Sequence, residues 1–374
     1  MDNKTVCILG CGGFIGSHLL RRVLSTMPCR VIGIDLSSSK IGPYLSDEKF
    51  TFVKADIFHT EKLKESIEKS DVVISLAAMC NPSLYTSVPL RVIESNFTQP
   101  LEIAALCTTL KKRLIHFSTC EVYGRTRASY AENDLSASVE PFNEDDSPFV
   151  LGPVRLQRWT YACAKQLHER VIYAYGFESG LKFTIIRPFN FIGPRMDFIP
   201  GIDGVGLPRV IACFMEALLF NKPLRLVDGG KSRRCFTYID DALDAIMAII
   251  QRPEKAGGQI FNVGNPGNEC TIAELARRMA CIYKEVTNDD SGGEIDIVDV
   301  SSGQFYGIGY DDSDRRVPDI SKAKKLLNWS PSIGLDEALA RTIRAYIDEY
   351  GNASKKAGFD TSLRDTQPAS ISAR

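Results

Sequence analysis

The chain has 374 residues, with 45 basic and 46 acidic side chains and a formal net charge of −1 at pH 7. This balance provides no basic surface for a nucleic acid or an anionic membrane, so a local site must recognise the ligands. The sequence shows neither a secretory signal nor an apolar run of about 18 residues, which predicts a cytoplasmic protein.

The first 35 residues carry the pattern of a dinucleotide-binding unit. A β-rich run over Thr5–Leu9 leads into the glycine-rich turn 10–16, an amphipathic helix over 14–24 and a strand over Arg30–Asp35. Such glycines let the backbone approach a pyrophosphate at the helix N-terminus, and an acid about 20 residues further on accepts from ribose hydroxyls. Because Asp35 would repel a 2′-phosphate, the sequence predicts NAD instead of NADP.

Strands then alternate with helices. Further strands are predicted at 50–54, 71–76, 113–118 and 183–187, and helices at 90–109 and 158–175. The alternation is typical of an α/β protein with a Rossmann-type, doubly wound parallel sheet, whose ligands lie at the carboxyl ends of the strands. We therefore predict an NAD-binding domain over residues 1–190, including helix 158–175.

Beyond Pro188 the chain becomes rich in glycine and proline, with shorter helices predicted at 209–220, 240–252, 272–286, 321–327 and 335–350. We predict a smaller C-terminal substrate-binding α/β lobe over residues 191–350, part of which returns to the main domain. Residues 352–374 lack apolar periodicity and are predicted to form a mobile tail.

Tyr161 and Lys165 are the most informative pair of side chains. On a helix, residues four apart share a face, so the ammonium can stabilise the phenolate and bring the pKa of Tyr161 towards neutral pH. Beside a dinucleotide, this pair predicts hydride transfer at a carbinol, with Tyr161 as the base and Thr119 bound to the same oxygen. The alternatives are a surface helix for the pair and a strand-end cap for Thr119.

Metal and disulfide chemistry is not predicted. The 11 cysteines include no Cys-x-x-Cys pair, and the four histidines form no ligand-like pair. Most of the cysteines are expected to be reduced and buried.

The motifs together resemble those of the extended short-chain dehydrogenase/reductase family, whose members act on nucleotide sugars. The resemblance covers roughly residues 5–348 and includes Gly10-x-x-Gly13-x-x-Gly16, Ser118–Gly124, Tyr161-x-x-x-Lys165 and Arg187–Asn190. It implies NAD as the cofactor, bound by Gly10, Gly13, Phe14, Ile15, Gly16, Asp35, Asp56, Ile57, Leu76, Ala77, Ala78, Asn96, Tyr161 and Lys165.

Three stretches resemble the UDP-glucuronic acid decarboxylases within that family, and among them most closely the group of UDP-apiose/UDP-xylose synthases. They are the segment around Glu121, the run Arg158–Tyr161 and the segment 310–318. The resemblance implies oxidation of UDP-glucuronic acid at carbon 4, loss of carbon dioxide, and reduction to UDP-xylose or, after ring contraction, UDP-apiose.

The same resemblance implies roles for individual side chains. Arg316 is predicted to bind the carboxylate, and Glu121 to orient the sugar or exchange protons with it. Cys80 and Cys120 are predicted to join Glu121 in a proton relay for ring contraction, with buried packing as the alternative. Substrate binding is predicted for Arg158, Asn190, Arg209, Arg234, Asp312 and Arg316, and more weakly for a turn at Phe261–Asn262.

Other interpretations remain open at this point. The chain can be a decarboxylase that stops at UDP-xylose or at the 4-keto sugar, a 4-epimerase, or a binding protein that senses the dinucleotide. For residues 311–316 a solvated salt-bridge loop is the alternative to a carboxylate site. By analogy with the family, we expect a homodimer formed through the helices at 90–109 and 158–175.

Overall fold

The structure is a computed structural model that describes residues 4–57, 60–125, 140–204, 206–288, 295–306 and 310–357. In this part of the chain a parallel sheet of seven strands forms the centre. The strands are β1 (Thr5–Leu9), β2 (Arg30–Asp35), β3 (Phe50–Lys54), β4 (Val72–Ser75), β5 (Arg113–Phe117), β6 (Phe183–Pro188) and β11 (Gln259–Val263), and their order is β11-β6-β5-β4-β1-β2-β3. The predicted Rossmann-type fold is confirmed.

Helices cover both faces of this sheet, and the strands are apolar on both. In β1, Val6 and Ile8 join one buried cluster, while Cys7 and Leu9 join the other, as the two-residue period of a strand requires. The helices are α1 (Phe14–Thr26), α2 (Thr60–Glu68), α3 (Pro82–Ser87), α4 (Pro89–Ile93), α5 (Pro100–Thr109), α6 (Thr160–Ser179), α7 (Val210–Leu219), α8 (Ile239–Gln251), α9 (Pro253–Ala256), α10 (Ile272–Thr287), α11 (Ser302–Tyr306), α12 (Ser321–Leu327) and α13 (Leu335–Ala357).

The helix predicted over 90–109 is interrupted. A π-helical turn, Glu94–Thr98, separates α4 from α5. Pro100 explains the break, because proline lacks an N–H and its ring clashes with the carbonyl four residues earlier. The widened turn buries the side chain of Asn96 completely.

Three small sheets build the part of the chain that covers the sheet edge. Strands β7 (Phe191–Ile192) and β10 (Thr237–Tyr238) pair with each other, as do β8 (Leu224–Val227) and β13 (Ile297–Val300). Strand β9 (Arg233–Cys235) lies between β12 (Glu269–Thr271), which is antiparallel to it, and β14 (Arg315–Arg316), which is parallel. The register pairs Arg316 with Arg234, so both guanidiniums are brought to one place.

The chain returns to the main sheet through α8 and β11. Arg22 on α1 binds Asp244 on α8 at 2.5 Å, and β11 pairs with β6 as the outermost strand. The prediction of a turn at Phe261–Asn262 was therefore wrong, since both residues lie buried in β11. The amide of Asn262 is satisfied there by the carbonyl of Phe142 and by the hydroxyl of Tyr123.

The last helix, α13, continues past its predicted end at 350 to Ala357, so residues 352–357 do not belong to the predicted tail. The remainder of that tail, residues 358–374, lies outside the described residues. None of the helices in the described ranges is both long and apolar enough to cross a membrane.

Candidate active site

The turn after β1 is shaped for close approach of a ligand. Gly10 has a φ of +90°, and a Cβ on Gly16 would lie 2.0 Å from the carbonyl oxygen of Gly10. Helix α1 begins directly after this turn, and its N-cap residue, Gly13, provides no side-chain cap. The first N–H groups of α1, including those of Phe14 and Ile15, are thus free of a side-chain cap where an anion would bind.

Asp35 closes the other side of this turn. Its carboxylate accepts hydrogen bonds from the backbone N–H of Gly12 at 2.8 Å and of Ser37 at 3.0 Å. A Cβ on Gly12 would lie 2.1 Å from the carbonyl oxygen of Ser37. The sequence motif includes Gly10, Gly13 and Gly16 but misses Gly12, whose close contact exists only once β1 and β2 are side by side.

A cavity of about 400 Å³ lies beside this turn. Its walls contain most of the predicted cofactor residues that follow strands, namely Gly10, Asp35, Asp56, Ile57, Ala77 and Ala78. Leu76 precedes them and pairs its N–H with the carbonyl of Leu9. Asn96 lies behind the wall, where its amide donates to the carbonyls of Met79 at 3.0 Å and Val92 at 2.9 Å. The structure therefore gives Asn96 a supporting contact with the cavity wall.

Tyr161 and Lys165 project from the first turns of α6, and both are buried. The Lys165 ammonium donates to the carbonyl of Phe117 at the end of β5, at 3.0 Å. The ring of Tyr161 stacks on Tyr85 with centroids 4.8 Å apart. Tyr85 lies on α3 and was missed by the sequence analysis, because a six-residue helix gives no periodic signal.

Burial dominates the titration of this pair. It lowers the pKa of Lys165 to about 8 and raises the pKa of Tyr161 well above its ordinary value. The side-chain hydrogen bond with Thr119 lowers the pKa of Tyr161 but does not offset burial. The protein side chains alone therefore do not lower the pKa of Tyr161 towards neutral pH. The Lys165 ammonium is desolvated and directed to the carbonyl of Phe117.

Thr119 has two contacts at the end of β5. Its hydroxyl oxygen accepts a hydrogen bond from the N–H of Glu121 at 3.1 Å, and its side chain also bonds to Tyr161. The strand-end cap and the contact with the phenol are therefore compatible. This places the hydroxyl of Thr119 beside the oxygen of Tyr161.

A second cavity, of about 710 Å³, lies between the sheet edge and the small sheets. Apart from Phe261 and Asn262, all the predicted substrate-binding residues line it, together with two further predicted catalytic residues: Arg158, Asn190, Arg209, Arg234, Asp312, Arg316, Glu121 and Cys80. Asn190 is held by a bond from its amide to the carbonyl of Cys235, and Arg209 by Asp197 at 3.1 Å.

Five of these side chains form what we call the arginine cluster: Arg158, Arg234, Arg316, Glu121 and Asp312. Asp312 binds Arg234 at 2.8 Å, Arg158 at 3.4 Å and Arg316 at short distance. Glu121 binds Arg158 at 2.6 Å and Arg316 at 3.6 Å. Three guanidiniums face two carboxylates, which leaves one excess positive charge in the cavity wall.

The arginine cluster is buried, and its charges depend on one another. The side chains of Arg158 and Arg316 are 2% and 3% exposed. Burial disfavours the charge of Asp312, but the guanidiniums of Arg316, Arg234 and Arg158 hold its pKa well below the ordinary range. The solvated-loop alternative fails for Arg316. Arg315, which binds Glu269 and is a third exposed, fits it better.

The two predicted relay cysteines differ in environment. Cys80 is exposed and lines the larger cavity. Cys120 is 3% exposed, and burial raises the pKa of its thiol despite the nearby guanidinium of Arg316. The Cys120 thiol is therefore protonated at neutral pH and can act as a proton donor. Within the described residues, no group of histidine, cysteine and acidic side chains is arranged to bind a metal.

Comparison with known proteins identifies relatives of this chain. A family model described as the NAD dependent epimerase/dehydratase family matches residues 6–264. UDP-D-apiose/UDP-D-xylose synthase 1 of Arabidopsis thaliana is 47% identical in an alignment of 365 positions that covers 94% of each chain. The UDP-D-apiose/UDP-D-xylose synthase of Oryza sativa subsp. japonica is also 47% identical, over 94% of this chain and 91% of its own.

Solved structures with a similar fold are also found. The PbgP3 protein of Burkholderia pseudomallei superposes with a TM-score of 0.80 at 34% identity, covering 96% of this chain and 99% of its own. UDP-glucuronic acid 4-epimerase of Bacillus cereus, solved with UDP-glucuronic acid and NAD, has a TM-score of 0.74 at 24% identity and covers 92% and 100%. At 24% identity, the likeness to the epimerase shows a shared fold alone.

The close approach at Gly12 predicts an effect of Gly12→Ala. The added methyl group forces the carbonyl of Ser37 and the carboxylate of Asp35 to move, so the affinity for NAD should fall by about tenfold or more. Calorimetric titration with NAD measures the change. Gly42→Ala is the control, because a Cβ there meets no atom within 4 Å. Equal NAD affinity in both variants would contradict the assigned role of this turn.

Proposed function

Because the chain belongs to the NAD dependent epimerase/dehydratase family, we propose that it converts UDP-glucuronic acid to UDP-apiose, UDP-xylose or both, with NAD as a cofactor that is regenerated in each cycle. The observation that carries this proposal is the arginine cluster. Its excess positive charge lies in the wall of the larger cavity, and Arg158 is three residues ahead of Tyr161. A sugar bearing a carboxylate matches that charge, whereas an uncharged hexose leaves it unbalanced.

The residues of the smaller cavity fit NAD. The glycine turn leaves room that a Cβ would fill, the N-terminus of α1 has no side-chain cap, and Asp35 presents a carboxylate beside it. These groups suit a pyrophosphate and a ribose with free hydroxyls, and the charge of Asp35 opposes a 2′-phosphate. NAD, when bound, would supply a hydride acceptor and a positive charge.

Tyr161 is the base in this proposal. It takes the proton from the hydroxyl at carbon 4 as the hydride leaves that carbon, while the hydroxyl of Thr119 holds the same oxygen. Since burial raises the pKa of Tyr161, the phenolate forms only where positive charge accumulates, and Lys165 supplies part of that charge. The product of this step is a ketone β to the carboxylate at carbon 6.

A β-keto acid loses carbon dioxide readily, because the electrons of the breaking bond pass into an enolate. Arg316 selects the carboxylated sugar, but tight binding of the carboxylate would oppose its departure, since only interactions stronger in the transition state accelerate a step. Asp312 and Glu121 already share the guanidinium of Arg316, which limits how tightly the substrate is held.

The enolate left by the loss of carbon dioxide takes up a proton at carbon 5 and becomes a 4-keto pentose. Two routes lead from this intermediate. Return of the hydride to carbon 4 gives UDP-xylose. Retro-aldol opening, closure to a branched furanose and return of the hydride to the new aldehyde give UDP-apiose. The second route needs proton transfers, for which we propose Cys80 in the cavity wall, the protonated thiol of Cys120, and Glu121.

The direct test is incubation of the protein with UDP-glucuronic acid and NAD, followed by NMR of the sugars. We expect carbon dioxide and a pentose in equal amounts, with apiose or its cyclic phosphate identifying the ring contraction. Tyr161→Phe should lower turnover by about 10²- to 10⁴-fold. UDP-glucose is the matched control substrate without a carboxylate. Accumulation of UDP-galacturonic acid without gas would show a 4-epimerase, and UDP-xylose without apiose would show a decarboxylase.

The low pKa of Lys165 predicts the alkaline limit of turnover. The lysine is an ammonium below about pH 8 and loses its proton above it, so kcat should fall as pH rises through about 8. Lys165→Arg keeps its charge at every accessible pH, and its residual turnover should no longer fall there. Lys112→Arg, at a half-buried lysine bound to the carbonyl of Glu68, is the control. A fall near pH 8 that persists in Lys165→Arg would contradict the assignment.

We also propose a homodimer formed through α4 and α6. These helices expose apolar side chains next to each other in the fold, including Leu90, Ile93 and Leu167. Such an apolar surface is typical of an interface with a second copy. The location is proposed to be cytoplasmic, since the cysteines in the structure are free thiols, as a reducing compartment maintains.

Leu167→Arg tests the dimer. A charge placed in an apolar interface is left without a partner, so the molar mass from light scattering should fall from that of two chains to that of one. Leu45→Arg is a matched control, because Leu45 is 44% exposed and Leu167 is 47% exposed. A single-chain mass for the unmodified protein, or an unchanged double mass in Leu167→Arg, would refute this interface.

A further inference from the structure

Asp311 lies next to Asp312 but has different partners. Its carboxylate accepts a hydrogen bond from the indole N–H of Trp159 at 2.8 Å, and it also binds the guanidinium of Arg125 at short distance. The side chain of Asp311 is 17% exposed. These contacts hold the segment that brings Asp312 and Arg316 to the cavity. We call this segment, residues 310–316, the arginine loop.

Asp311 and Asp312 each bind one of two adjacent residues that directly precede α6. Arg158 binds Asp312, and Trp159 binds Asp311. Trp159 is the N-cap residue of α6, two positions before Tyr161. The arginine loop is therefore fastened by two adjacent bonds to the start of the helix that carries the proposed base.

Arg125 adds a third segment to this junction. It follows the segment of Thr119 and Glu121, and its own N–H bonds to the carbonyl of Val150 at 2.7 Å. The backbone at Gly152 covers the junction so closely that a Cβ there would lie 2.4 Å from Trp159 Nε1 and 2.8 Å from the carboxylate of Asp311. Such close cover limits the access of water to these bonds, and a charged acceptor makes them stronger than neutral ones.

We propose that Asp311 is a positioning residue that fixes the arginine loop against the start of α6 and thereby sets the preference for a carboxylated sugar. Asp311 holds Trp159 and Arg125, which come from the two segments that also carry Tyr161, Thr119 and Glu121. With Asp311 in place, the segment that carries Arg316 is tied to the residue that precedes α6, the helix of Tyr161. This inference rests on the proposed function and extends it to a residue outside the arginine cluster.

Loss of Asp311 has a specific expected consequence. The arginine loop would lose two of its bonds. Asp312 and Arg316 keep their contacts with Arg158, Arg234 and Glu121 but are held less firmly beside the sugar. Binding of the carboxylate at carbon 6 then weakens, whereas the contacts of the nucleotide elsewhere in the cavity remain. A general loss of structure would instead weaken every UDP-sugar alike.

The test compares two ligands on the NAD-loaded protein. Dissociation constants for UDP-glucuronic acid and for UDP-xylose, which lacks the carboxylate, are measured by calorimetry in a Tyr161→Phe background, in which UDP-glucuronic acid is not consumed during the titration. The background protein is compared with the same protein carrying Asp311→Ala or Trp159→Phe. For Asp311→Ala we expect about tenfold weaker binding of UDP-glucuronic acid, the loss typical of one hydrogen bond to a charged group, and less than about twofold for UDP-xylose. Trp159→Phe keeps the ring and removes one donor, so its selective loss should be smaller.

Asp145→Ala is the matched control. It removes an aspartate that binds Lys322 on α12, and both affinities should stay unchanged. If Asp311→Ala does not fold, Trp159→Phe decides the question by the same comparison. Equal losses for the two sugars, or none, would overturn the inference. An unmodified protein that does not consume UDP-glucuronic acid would instead overturn the proposed function, which separates the two failures.

Discussion

Asp312 holds together guanidiniums that reach the cavity from three separate parts of the chain. Arg158 precedes α6, Arg234 lies on β9, and Arg316 lies on β14, which pairs with β9 in register. Without this carboxylate the three positive charges would be buried against one another, and removal of one partner from a buried ionic group is strongly destabilising. This contact therefore stabilises the position of the β12-β9-β14 sheet at the larger cavity.

The charge of the arginine cluster also bears on which sugar is bound and on the reaction. Its excess of one positive charge favours a sugar with a carboxylate, and the burial of Arg158 and Arg316 strengthens that preference because little solvent screens it. Since Glu121 and Asp312 compete for the same guanidiniums, the carboxylate is selected without being held so tightly that it cannot leave. In the proposed mechanism, Tyr161 and Lys165, fixed on α6 next to Arg158, act at carbon 4, which is β to the carboxylate. Oxidation and loss of carbon dioxide would then take place within one buried site.

Local patterns in the sequence were sufficient for the elements that carry the cofactor site. The bounds of β1, β2 and β3 are as predicted, since these strands are buried runs bounded by turns, and the glycine turn is followed by its helix. β11 was missed because Asn262 interrupts its apolar run and is satisfied only by partners distant in sequence. The pairing of Arg316 with Arg234 could not be predicted either, because strands of two or three residues are too short to show a periodic pattern in the sequence. The residues of the larger cavity were instead indicated by family resemblance.

The central claim is an internal redox cycle that releases the carboxyl group of a hexuronate. It is tested most directly with UDP-glucuronic acid that carries deuterium at carbon 4 and ¹³C at carbon 6, using protein with bound NAD and no added reductant. The account predicts ¹³C-labelled carbon dioxide and a pentose that retains the deuterium, on carbon 4 of xylose or on the exocyclic hydroxymethyl carbon of apiose. Deuterium lost to water, or a product that keeps its ¹³C-labelled carboxylate, would contradict it.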